Sequence, residues 1–139
     1  MNTTAASITT IEANPGLVKL THVLYGLHAL GLAIGAFGAA SVLGSFLFGW
    51  PSIVAVIVNY VKRSDVQGTW LESHFRWQIR TFWFALAGTL VVLAIGLPTT
   101  LILIGFGILA LGFCVLGLWT IYRIVRGWMR LSAREPMPV

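Results

Sequence analysis

Leu20–Val61, LTHVLYGLHALGLAIGAFGAASVLGSFLFGWPSIVAVIVNYV, contains no Lys, Arg, Asp or Glu. Thr81–Tyr122, TFWFALAGTLVVLAIGLPTTLILIGFGILALGFCVLGLWTIY, is equally uncharged and has the same length of 42 residues. One helix needs about 20 apolar residues to cross a hydrocarbon core of about 30 Å, so each run holds two crossings and a tight reversal. The apolar residues are continuous rather than alternating, which fits helices and not the two-residue period of barrel strands. The sequence predicts an all-α membrane protein whose four transmembrane helices form two hairpins.

The composition agrees. With 58% hydrophobic and 9% charged residues and a mean hydropathy of +0.89, no soluble core of 139 residues could hide so much apolar surface. Residues 1–16 form an N-terminal tail, 17–122 the membrane domain with a central loop at 61–74, and 123–139 a basic C-terminal tail. Little chain is left for a soluble enzyme module. Residues 1–18 lack a basic n-region, so no cleavable targeting segment is expected, although Gly38-Ala39-Ala40 faintly resembles a cleavage site.

Reversals are expected at Gly38-Ala39-Ala40-Ser41 and Gly96-Leu97-Pro98-Thr99-Thr100. The spans then run at Leu17–Phe37, Val42–Tyr60, Phe75–Ile95 and Thr100–Tyr122, with Trp50-Pro51 kinking the second. Cations fix the orientation. Lys62, Arg63, Arg76 and Arg80 flank the central loop, Arg123, Arg126, Arg130 and Arg134 follow the fourth span, and Lys19 starts the first. Both hairpin tips have none, so the positive-inside rule places both termini and the central loop in the cytoplasm.

Gly31, Gly35 and Ala39 make a small-residue ridge that suits helix packing, within the bundle or between copies. Gly107, Gly112 and Gly117 recur every five residues and smear around their helix. Cys114 lies alone inside the fourth span and reads as an apolar filler.

The polar residues gather at the cytoplasmic level. Thr21, Tyr25 and His28 share a face of the first span, with His22 on a neighbouring one. Histidine inside a membrane is expensive without a partner, and Asn59, Gln78 or a backbone carbonyl could supply one. If Ser73 caps the third helix, His74, Trp77, Gln78 and Thr81 project from one side while Glu72, Arg76 and Arg80 stack on another. His22, Tyr25, His28, Asn59, His74, Trp77 and Gln78 thus form a candidate partner or ligand pocket. His22 and His74 at one depth admit a haem reading, and a quinone or lipid is a further one. No spacing suggests zinc or any other metal site.

The segment Tyr60-Val61-Lys62-Arg63-Ser64-Asp65-Val66-Gln67-Gly68-Thr69-Trp70-Leu71-Glu72-Ser73-His74-Phe75-Arg76-Trp77-Gln78-Ile79-Arg80 is the most specific part of the chain. A tyrosine and two basic residues close the second span, an acid sits in a short loop, and a histidine precedes an aromatic-Gln-Ile entry to the third. In this order, and in the four-span plan over about Leu17 to Tyr122, the chain resembles the Tic-twenty-like family of small bacterial membrane proteins. Relatives of that family include the chloroplast inner-envelope import component and the magnetosome MamF-type proteins. The resemblance implies a multi-pass protein of the bacterial inner (cytoplasmic) membrane that works in protein handling or in assembly.

No acidic residue lies inside the spans, which disfavours ion-coupled transport. Ser45 and Ser52 have no base on their own helix, which disfavours serine proteolysis. No phosphate-cradling glycine loop precedes a helix. Arg123, Arg126, Arg130 and Arg134, together with Lys62, Arg63, Arg76 and Arg80, suit anionic headgroups at about 1 kcal/mol per cation, and are too few and too close to the membrane to read nucleic acid. The expected function is a non-catalytic scaffold or assembly subunit, bound to another membrane protein or to copies of itself. A lipid-, quinone- or haem-contacting accessory subunit and a small passive pore are the alternatives.

Overall fold

The computed structural model describes residues 12–38 and 49–138, and contains four α-helices and no strand among them. They are α1 (Pro15–Gly38), α2 (Trp50–Val61), α3 (Leu71–Thr99) and α4 (Ile104–Ser132). Three helices are long and apolar enough to cross a membrane: α1, α3 and α4. The 12 residues of α2 rise only about 18 Å, short of a full crossing. Residues 39–48, which hold the first expected reversal and the start of the second expected span, lie outside the described residues.

Local chemistry sets the boundaries. Asn14 starts α1 as its side-chain carbonyl accepts from Gly16 N at 2.8 Å, with Pro15 behind it in the first turn. Pro51 stands at the start of α2 rather than within it, so the expected kink becomes a helix start. Val66 from a 3-10 turn, Ser64–Val66, is buried beneath the loop between α2 and α3.

The second reversal falls later than the glycine and proline suggested. α3 runs through Pro98 to Thr99, and the turn is made by Thr100–Ile102 and Leu103. Threonine hydroxyls satisfy carbonyls of the last turn: Thr99 Oγ1 shares its proton between the carbonyls of Ile95 and Gly96 at 2.8 and 3.0 Å, and Thr100 Oγ1 donates to that of Leu97 at 2.6 Å. Carbonyls near lipid need such partners. α4 likewise runs ten residues past its expected end at Tyr122, so most of the expected tail is helix.

All four helices and the 3-10 turn contribute to the hydrophobic core: Leu24, Tyr25, Ala55, Val66, Leu71, Phe75, Ile124 and Leu131. This core sits at the cationic end. Toward the other end α3 and α4 stay paired, with Gly88 against Leu116, Gly112 against Val92 and Gly96 against Leu109. A Cβ at Gly105 would collide with the backbone of Gly96, Thr99 and Thr100, so glycine is required there.

Candidate functional site

A buried polar cluster lies within the core at the cationic end. Tyr25 of α1 and His74 of α3 meet at 3.1 Å between the phenol oxygen and Nδ1, and His74 Nε2 lies 2.7 Å from the Glu135 carbonyl. A carbonyl only accepts, so Nε2 carries the proton and Nδ1 of the neutral ring accepts from Tyr25. Both ring nitrogens are therefore occupied. Trp70 stands edge-on to the same imidazole at 5.5 Å, and Trp128 stacks on Tyr25 at 6.5 Å.

α4 approaches α1 closely enough for this pairing because Gly127 presents only backbone: a Cβ there would overlap the Tyr25 ring. Trp128 Nε1 then donates to His22 Nδ1 at 3.0 Å. On the other side Asn59 Nδ2 of α2 donates to Gln78 Oε1 of α3 at 2.9 Å. Gln78 also lies beside the Tyr25 hydroxyl, though without a well-formed bond, since its Nε2 has no partner. Interhelical bonds of this kind are worth about 0.6 to 2 kcal/mol each in a bilayer.

Three buried polar atoms have no partner among the described residues: His28 Nε2, Asn59 Oδ1 and Gln78 Nε2. Their residues are 8%, 0% and 1% exposed. An orphan of this kind costs about 1 to 3 kcal/mol. His28 lies one turn deeper in α1 than Tyr25, and is the one histidine of the three with no hydrogen bond among the described residues.

The C-terminal residues close the cluster, which sequence reasoning missed. After α4, Arg134 takes a left-handed conformation (φ 56°), and the chain folds back so that Met137 N donates to Ser73 Oγ at 2.9 Å. Met137 is buried, and Arg130 ties the strap through the Pro136 carbonyl at 3.2 Å. Ser73 is consequently not the helix cap. The cap position is Trp70, and the Ser73 hydroxyl donates back to the Trp70 carbonyl at 2.7 Å. Arg134 leaves the basic stripe for the same reason, while Arg123, Arg126 and Arg130 remain on α4.

Among the described residues the other cations divide into those with an ion-pair partner and those without. Lys62 bonds Asp65 at 2.8 Å and Arg76 bonds Glu72 at 3.0 Å, and Arg63 and Arg80 are exposed. The Lys62 ammonium holds the Asp65 carboxyl below the usual carboxylate range. Arg123 is the most constrained: Nε donates to Thr81 Oγ1 at 2.7 Å, and the guanidinium lies 3.6 Å from the Trp77 ring centroid. Trp77 Nε1 donates back to the Arg123 carbonyl at 3.1 Å. Of the glycine ridge, Gly31 is buried, Gly35 faces open space and Ala39 lies outside the described residues.

The cluster does not fit an axially ligated haem between His22 and His74. His74 has no free nitrogen, and Nδ1 of His22 is taken by Trp128. The hydrogen bonds of the cluster lock helices together. Comparison with known families, curated proteins and solved structures gives no match to this chain, so the Tic-twenty-like resemblance rests on its motif residues alone.

Proposed function

We propose that the protein is a non-catalytic scaffold or assembly subunit of a bacterial inner membrane, crossing it four times with both termini and the central loop in the cytoplasm. The observation that carries this reading is the doubly bonded His74. The polar side chains that sequence alone would offer to chemistry, His22, Tyr25, His74 and Trp77, are instead engaged in joining α1, α3, α4 and the C-terminal strap. The two-helix portion beyond them presents large exposed apolar residues such as Leu90, Val91, Leu111 and Val115, a surface suited to lipid or to another membrane protein.

Gentle purification from native membranes, with mass spectrometry of the intact particle and an absorption spectrum, tests the proposal. A stoichiometric protein partner without a chromophore is the expected result. A Soret band, or a bare monomer that catalyses a reaction, would end it.

A second reading has its own support in the orphaned His28, Asn59 and Gln78 atoms, which a small polar ligand would satisfy. An accessory subunit for a quinone or lipid would lose that molecule in His28→Ala, whereas a scaffold would keep its protein partner through the same change. The passive-pore alternative predicts solute flux in liposomes.

A further inference from the structure

Three arginines, Arg80 of α3 and Arg123 and Arg126 of α4, stand where the core meets the paired α3 and α4. Among the described residues the acids Asp65, Glu72 and Glu135 pair with Lys62, Arg76 and Arg130, Glu12 lies ahead of α1 without an ion pair, and none of the four pairs with Arg80, Arg123 or Arg126. Arg123 Nε reaches Thr81, the residue after Arg80 on α3, and Arg126 follows Arg123 one turn later on α4. Cations this near one another without an acid favour an anion beside them. The Arg123 side chain is already shaped for one: Thr81 and Trp77 hold its Nε edge and one face. Its two Nη groups donate to no described residue and form the fork that grips phosphate oxygens in pairs.

An apolar groove of about 590 Å³ begins beside this guanidinium. It is lined by Gly88, Val92, Gly112, Val115, Leu116 and Trp119 among others, and Trp119 is also the second aromatic ring near Arg123, at 5.2 Å. From Trp119 to Leu111 the groove follows α4 for about 12 Å, close to the half-thickness of a hydrocarbon core of about 30 Å. A cationic fork at one end and an apolar furrow running on from it match the two halves of a phospholipid.

We infer that Arg123, assisted by Arg80 and Arg126, binds the phosphodiester of an anionic phospholipid whose acyl chain lies in the groove between α3 and α4. The inference rests on reading α3 and α4 as membrane spans, but not on the scaffold function. The lipid would be held by its phosphate and one chain, and the exposed Arg80 would disfavour a cationic headgroup such as choline.

The test is native mass spectrometry of the full chain in mild detergent after titration with phosphatidylglycerol, or with phosphatidylcholine of the same chains. One phosphatidylglycerol is expected to be retained at least tenfold better than phosphatidylcholine. Arg126→Gln should weaken retention about fivefold, and Arg123→Gln more. Val115→Trp, which fills the groove without touching an arginine, should also release the lipid. Circular dichroism establishes that each variant keeps its helices. Equal retention of both lipids, or unchanged retention in Arg126→Gln and Val115→Trp, would overturn the site. Displacement by millimolar inorganic phosphate would also overturn it, in favour of a free-anion site. Recovery of the chain from the soluble fraction would instead refute the membrane reading beneath it.

Discussion

The two ends of the molecule are held by different physics. At the cationic end four helices and a C-terminal strap converge on side chains: Tyr25, His74, Asn59, Gln78 and the Thr81–Arg123–Trp77 clamp. Toward the tip, the one buried residue of α3 beyond Thr81 is Gly96, and the one of α4 before Ile124 is Gly105. There backbone meets backbone and large side chains point outward, as with Leu101 at 90% exposure. Directional bonds fix which helices meet and in what register at the first end. Close approach of small residues, which is sequence-tolerant, suffices for two consecutive helices at the second.

His74→Ala should have the largest effect, because it removes two bonds and strands the Tyr25 hydroxyl in a buried site. A loss of about 2 to 4 kcal/mol is expected in denaturant unfolding of detergent-solubilised protein. Gly127→Ala comes next: its methyl would overlap the Tyr25 ring, costing about 1 to 3 kcal/mol by overpacking. The matching change toward the tip, Gly107→Ala, meets open space and should gain up to about 1 kcal/mol through helix propensity. If both glycine variants behaved alike, the contrast between the ends would be lost.

Leu103→Gly sharpens the tip side. Leu103 adopts φ 64° with its side chain exposed, so glycine should raise the thermal midpoint, equivalent to about 1 kcal/mol. The smallest effect belongs to Asp65, whose exposed carboxyl is held low by Lys62. A depressed carboxyl stabilises above its unfolded pKa, and that contribution fades as pH falls through the folded value. Comparing thermal midpoints of Asp65→Asn and wild type from neutral to acidic pH should show a small difference that closes on acidification.

Much of this contrast was legible in the sequence. Charge-free runs marked the long helices because no soluble packing tolerates them, and the spacing His74, Gln78, Thr81 placed three polar groups on one buried face of α3. The ends of the helices were less legible. Proline and glycine suggested a stop at Gly96–Thr100, but α3 runs through Pro98 to Thr99, and threonine hydroxyls cover carbonyls of its last turn. The strap escaped notice because its contacts join residues 61 and 64 positions apart through backbone atoms of Glu135 and Met137, which carry no side-chain signature. The pairing of His22 with Trp128, 106 residues away, was hidden in the same way.

Topology tests the central claim most directly, since the proposed function puts the locked end in the cytoplasm. With Cys114→Ala as background, single cysteines at Ser41, Gln67, Leu101 and Ala133 can be probed in intact spheroplasts with a membrane-impermeant maleimide. Labelling of Ser41→Cys and Leu101→Cys from outside, with Gln67→Cys and Ala133→Cys reacting only after lysis, is the predicted result. External labelling of Gln67→Cys or Ala133→Cys would contradict it.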